Sequence, residues 1–498
     1  MLLFFSMCYY KQKFLHLKVF IFLILLNITL KNINAKDSVS LDYTIGNLDT
    51  VSTVEELKSA INKANVNGNM TILLENGEYE IASSSWYPYI TANNIMFKSL
   101  SGIRDSVLVK GSGMEITSGT ENVFHLVGNS IIIADITVGE CGNHGICLEG
   151  DSALIHNVKI QNTYEQMIKG VDAGDGADFG IIEYCFFEYT ACFGPHYYIG
   201  GIDIHEGNNW IVRDNEFYNI KSPDSGLAEH AIHFWNNSAD IVIERNKIVN
   251  CDRGIGFGLG SSGCQGGIIR NNMVYTSEDV GIGLESSPGT QVFNNSVYTE
   301  YYPNSIEFRF LKTTGVQIYN NITNRSITSR NGGKADVQSN ITNSDFSWFV
   351  NPFAGDLHLS SAISDIVDQG IALTEVRVDF DKDERPQGTA YDIGADEYVN
   401  PTKCSNENNT FSACRLFQNY PNPFNLSTEI EYQISFSGMV HLVVYDVLGK
   451  RIRTLIKEPK DKGTYSIRFK GTELPSGIYF LQLRTDNTVL PRKCLLMK

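Results

Sequence analysis

The segment GIDIHEG, residues 201–207, alternates Asp203 and His205 with Ile202 and Ile204, the two-residue period of a half-buried strand. The isoleucines are committed to a core, so the acid and the imidazole face outward. Two segments in the same phase add further groups: MIKGVD supplies Lys169, and AIHFWN supplies His233 and Trp235. Arg253 precedes GIGFGL, while Glu285, Glu307 and Arg309 come from GIGLES and SIEFRF. These residue types suit proton transfer. A lysine beside an aspartate stays charged and grips an anion, and a histidine titrates near neutral pH and moves a proton. Lys169, Arg253 or a histidine is then the base that removes a proton α to a carboxylate. Asp203 with Glu149 or Glu206 would hold Ca2+, or Asp203 pairs with Lys169 instead. Hydrolysis needs two carboxylates about 5–10 Å apart, for which Asp203 with Glu229 or Glu206 is available.

A repeat brings these residues together. GICLEG, MIKGVD, GIDIHEG, AIHFWN, GIGFGL, GIGLES and SIEFRF share an apolar–variable–apolar–variable pattern. Each is followed by an apolar pair running into a polar turn, whose first position recurs at Asn157, Tyr184, Asp214, Arg245, Asn271, Asn294 and Asn320. The spacings are 27, 30, 31, 26, 23 and 26 residues, the mark of a solenoid. Strand period and coil length predict an all-β fold, a right-handed parallel β-helix with three short strands per coil. Like positions then stack about 4.8 Å apart. One column, Asn215, Asn246, Asn272, Asn295 and Asn321, reads as a structural amide ladder. The outward columns read Cys147, Lys169, Asp203, His233, Gly256, Gly283, Glu307 and Glu149, Val171, His205, Trp235, Gly258, Glu285, Arg309. Lys169, Asp203 and His233 become neighbours, with His205 and Trp235 beside them. Gly256, Gly258 and Gly283 form a bare floor, and Glu285, Glu307 and Arg309 close the far side of an exposed groove. Trp235 is placed to stack on a sugar ring, and an extended polymer lies readily along such a face.

Towards the N-terminus, Thr53-Val54-Glu55-Glu56 reads as a capping box opening an amphipathic helix, followed by TILLENGEYEI. Helix, strand and Asn-Gly turn resemble the start of pectate-lyase-like β-helices, and the likeness extends over roughly residues 50 to 400. That resemblance implies a face that hosts uronic-acid lyases, glycoside hydrolases, epimerases or esterases. The chain lacks an RxPxxR-type lyase signature and a polygalacturonase NTD, DD, GHG set. The segment DFDKDERPQGTAYDIGADEY, residues 379–398, resembles the closing segment of secreted bacterial β-helices. Its Asp379, Asp381 and Asp383 are read as a solvated loop rather than a calcium site. After Pro401 the repeat ends. A polar linker, 401–414, precedes alternating strands with Gly and Pro turns, a small β-sandwich over 415–498. There YPNPFN, VYDVLGK, LPSGIYF and a basic-apolar terminus closely resemble the type A sorting domain of the type IX secretion system, apart from Leu426, where that family usually has Pro. The resemblance implies partnership with the secretion machinery and release or attachment at the cell surface.

The first 35 residues hold no acid, an apolar run from Val19 to Leu30 and the ending Ile33-Asn34-Ala35, which reads as a signal peptide. Removing its four lysines takes the net charge from −16 to about −20. So acidic a chain is unsuited to nucleic acid. Nine cysteines remain, an odd number that argues against a full disulfide framework, with Cys404–Cys414 and Cys141–Cys147 the candidate pairs. The residues together point to a monomeric, secreted, polysaccharide-active protein. A lyase on a uronate-containing glycan leads, with a glycoside hydrolase or a non-catalytic glycan-binding surface protein as alternatives.

Overall fold

A computed structural model describes residues 40–399, apart from 42, 82–85, 116–121 and 172–175. It also describes 415–496, apart from 418, 420, 421, 423, 435–436, 446–449 and 486–488. The signal-peptide segment and the linker with Cys404 and Cys414 lie outside the described residues. The chain separates near residue 400 into two compact units.

The first unit is a right-handed parallel β-helix. Its three parallel sheets, here sheets 1, 2 and 3, hold twelve, ten and ten strands, each coil adding one strand to each sheet. Most of the strands are three to five residues long, matching the short apolar alternations. From Ile132–Ala134 onward, what ends each sheet 1 strand is a residue in the left-handed region. Asn157, Asp214, Asn271, Asn294 and Asn320 have φ between 50° and 57°, a conformation that Asn and Asp enter more readily than other side chains. Tyr184 and Arg245 occupy the same turn at φ 57° and 53°.

From Asn215 onward, the next residue in each turn carries the amide ladder. Asn246 Nδ2 donates to Asn272 Oδ1 at 3.0 Å, Asn272 to Asn295 at 2.9 Å, and Asn295 to Asn321 at 2.9 Å. Each Oδ1 also accepts the main-chain N–H of the preceding rung, as Asn272 does from Asn246 at 2.9 Å. Asn340 adds a rung beyond the predicted column. At the N-terminal end the helix Val54–Asn67 buries Leu57, Ala60, Ile61 and Ala64, and its Thr53–Glu56 capping box is formed.

The C-terminal unit has a three-stranded and a four-stranded antiparallel sheet. Ile430, Tyr432 and Phe469 of the first share one core with Leu442, Val444 and Leu481 of the second, which makes a small sandwich. Two expectations are corrected. Cys141 and Cys147 are both buried and not joined to each other, and Cys141 Sγ donates to the Asn143 carbonyl at 3.7 Å. Asp379 is not in a solvated loop: it is 1% exposed and accepts the main-chain N–H of Asp383 and Glu397, while Asp381 faces His358.

Candidate functional site

Sheet 3, the ten-stranded sheet that includes strands Ile168–Gly170, Ile202–His205, His230–Trp235 and Arg253–Phe257, carries the outward columns. Its register pairs Lys169 with Asp203, Asp203 with His233, His233 with Gly256, Gly256 with Gly283, and Gly283 with Glu307. His205 pairs with Trp235 and Glu285 with Arg309. The interleaved Ile202, Ile204, Ile232 and Phe234 are fully buried, so the alternation fixes which side chains leave the core.

The outward residues nonetheless do not form one open groove. Lys169, Asp203, His233 and Glu307 are 8%, 4%, 2% and 2% exposed. The reason is mutual satisfaction across coils. Asp203 accepts from Lys169 Nζ and, at 2.8 Å, from Trp235 Nε1. Its Oδ1 lies 3.3 Å from His233 Nδ1, and Oδ2 lies 3.4 Å from His205 Nε2. His205 Nε2 is also 3.0 Å from Lys169 Nζ. Burial would raise the pKa of Asp203, but hydrogen bonds from both histidines and the charges of His233 and Lys169 hold it well below the usual range. Trp235 is no free platform: its indole meets the His205 ring edge-on at 4.3 Å and lies parallel to His233 at 5.8 Å.

A cleft of ≈ 360 Å³ opens one coil further on, within the size range of sugar-sized ligands. His230, Arg253, Asp279, Gly283, Glu285, Tyr302, Glu307 and Arg309 line it. Arg253 Nε bonds Asp279 at 3.0 Å, and Arg309 Nη1 bonds Glu285 at 2.5 Å. Glu307 is held by Tyr302 at 2.9 Å, Asn304 at 2.6 Å and Arg330 at 3.0 Å. Burial, then the hydrogen bond to Glu307, raises the pKa of Tyr302.

Sequence reasoning gave His230 no role. Alternation assigns it the inward phase of Ile232, yet its ring rests on the outer face. A Cβ on Gly256 would lie 2.7 Å from three His230 ring atoms, so this glycine makes room for the imidazole instead of forming bare floor. Gly258 lines the cleft, and a Cβ there would meet the Glu285 carbonyl at 1.8 Å, so no side chain fits. Gly283 lines the cleft, and a Cβ on it would approach His230 Nε2 at 3.8 Å. Burial, then the charges of His233 and Arg253, pushes the pKa of His230 well below its ordinary value. A glycine column beside a strand-leading histidine was the available signal.

The calcium set does not assemble. Asp203 is turned to Lys169, Glu149 bonds His125 at 2.6 Å, and Glu206 lies in a left-handed turn at φ 53°. Among the described residues one group has metal-like spacing: Glu229, His230 and His233, with donor atoms within 4.8 Å of one another. Its chemistry favours protons over a metal. His233 has an acceptor at each nitrogen, and Arg253 already sits 3.8 Å from the Glu229 carboxylate.

Residues 418–497 match the family described as secretion system C-terminal sorting domain. That domain puts the protein on the type IX route to the cell surface or exterior. Among solved structures, an alginate lyase from Paenibacillus sp. str. FPU-7 aligns at 14% identity and TM-score 0.34, over 51% of this chain and 94% of its own. A doubly substituted pectate lyase from Xanthomonas campestris aligns at 12% identity and TM-score 0.26, over 68% of this chain and 91% of its own. No curated protein matches the chain.

Proposed function

We propose that this secreted β-helix is a polysaccharide lyase that cleaves a uronate-containing glycan in the His230–Arg253–Arg309 cleft. One observation carries the reading: the His230 imidazole lines a cleft together with two guanidinium groups, and burial and then the charges of His233 and Arg253 push its pKa well below the ordinary value. β-Elimination asks for this combination. Arg253 and Arg309, braced by Asp279 and Glu285, keep donors free for a uronate carboxylate. Neutralising that carboxylate acidifies the adjacent C–H, and His230 takes the proton. The bond to the leaving oxygen breaks as the ring double bond forms. Tyr302, which lines the same cleft, returns a proton to that oxygen. Lys169, Asp203 and His233 support the site from beneath, and His205 remains partly accessible beside them.

Hydrolysis is the second reading, favoured by the three carboxylates of Asp279, Glu285 and Glu307 in the cleft wall. The test is a panel of uronate and neutral glycans, followed by ultraviolet absorbance of unsaturated ends and by reducing-end release. The lyase reading expects unsaturated ends, and a loss of about a hundredfold or more in His230→Gln. Reducing ends without unsaturation would make the protein a hydrolase. Binding without cleavage would make it a glycan-binding surface protein.

A further inference from the structure

His233 meets an acceptor at each ring nitrogen. Asp203 Oδ1 lies 3.3 Å from Nδ1, and the Gly258 carbonyl lies 3.2 Å from Nε2. A carboxylate and a carbonyl only accept, so this setting favours a proton on each nitrogen, the imidazolium form. Its centroid is 4.7 Å from that of His230, with the planes 39° apart.

The other charged groups around His230 are Arg253, opposite it in register on the next strand, Glu229 just before it, Asp203 on the preceding coil, and Asp279. Glu229 and Asp279 are both turned onto Arg253, and Asp203 onto Lys169, Trp235 and His233. His230 Nδ1 is buried with no hydrogen-bond partner. The Glu229 carboxylate, within 4.8 Å of both rings, is shared with Arg253, and a second proton on His230 would set two imidazolium rings against each other.

We propose that Asp203, braced by Lys169, keeps His233 a permanent imidazolium, and that His233 is a positioning residue holding His230 in the uncharged, proton-accepting form. The proposal rests on reading His230 as the base. Burial opposes charge on His233, but the hydrogen bond and charge of Asp203 override it and raise its pKa. On His230 burial and the neighbouring cations act in one direction, downward. The buried column thus acts at one remove, through the charge it fixes beside the cleft, and touches no substrate.

The experiment is histidine-selective 15N NMR of the full-length protein, with His230→Gln used for assignment. In the wild type, both nitrogens of His233 should stay protonated across about pH 6 to 8 while His230 stays neutral. In His233→Gln the pKa of His230 should rise by about one unit or more, and the acid limb of kcat/KM on a cleaved glycan should rise with it. A merely structural role for His233 would lower activity without moving that limb. Should His233→Gln not fold, the wild-type spectra still decide the protonation of both rings. A neutral His233 in the wild type, or an unmoved His230 titration in the variant, overturns the proposal. So does a stoichiometric divalent ion retained by the wild type and lost in Glu229→Gln, which would make the three side chains a metal centre. If no glycan is cleaved, the lyase reading fails while the spectra still decide this one.

Discussion

Replacing Asn272 by Leu removes one interior rung of the amide ladder. Asn272 is fully buried, and its Oδ1 accepts the main-chain N–H of Asn246 at 2.9 Å. Its Nδ2 donates to the carbonyls of Ile243 and Arg270, each at 3.0 Å. Leucine has similar bulk but no polar atoms. The Asn246 N–H loses the side-chain acceptor it has in this turn, and the Ile243 carbonyl loses a donor. At about 1–3 kcal/mol for each buried orphan, the cost is about 2–6 kcal/mol. Asn340, the last rung, is only half-buried, so water can replace what Asn340→Leu removes, and that change should cost about 1 kcal/mol or less. Urea denaturation followed by intrinsic fluorescence reads the difference as a lower midpoint for Asn272→Leu than for Asn340→Leu. A wild-type midpoint for Asn272→Leu, or equal losses at both positions, would refute the idea that buried amide stacking stabilises the turn column.

Two further outcomes follow. Deleting residues 415–498 should leave a folded β-helix that accumulates in the periplasm, checked by cell fractionation; normal appearance outside the cell would remove the sorting role from this domain. Burial works against charge on His358, but the hydrogen bond to Asp356 and the nearby carboxylate of Asp381 raise its pKa to about 10. Its stabilisation is therefore fully present below the unfolded value of about 6.5 and is lost as pH rises through about 10. His358→Gln should be less stable than wild type near pH 6, with the gap closing by about pH 10 in urea midpoints; a gap independent of pH would exclude this linkage.

The β-helix, the phase of its strands and the rungs of its ladder are legible in the residue pattern alone. In a solenoid, residues one repeat apart are neighbours in space, so a 23- to 31-residue period encodes the register directly. That is why Lys169, Asp203, His233, Gly256, Gly283 and Glu307 fall in the predicted column. What the column does is set by packing across coils. An outward phase says that a side chain leaves the core, not that water reaches it. Asp203 collected lysine, indole and two imidazoles from its own and neighbouring coils, and that pairing buried the cluster. His230 lies just where its strand begins, so the two-residue period does not govern its side chain, and it reached the cleft through space left by Gly256. Such placements depend on how turns of unequal length carry the chain onto each strand, and on which side chains meet across coils, and no local period records either.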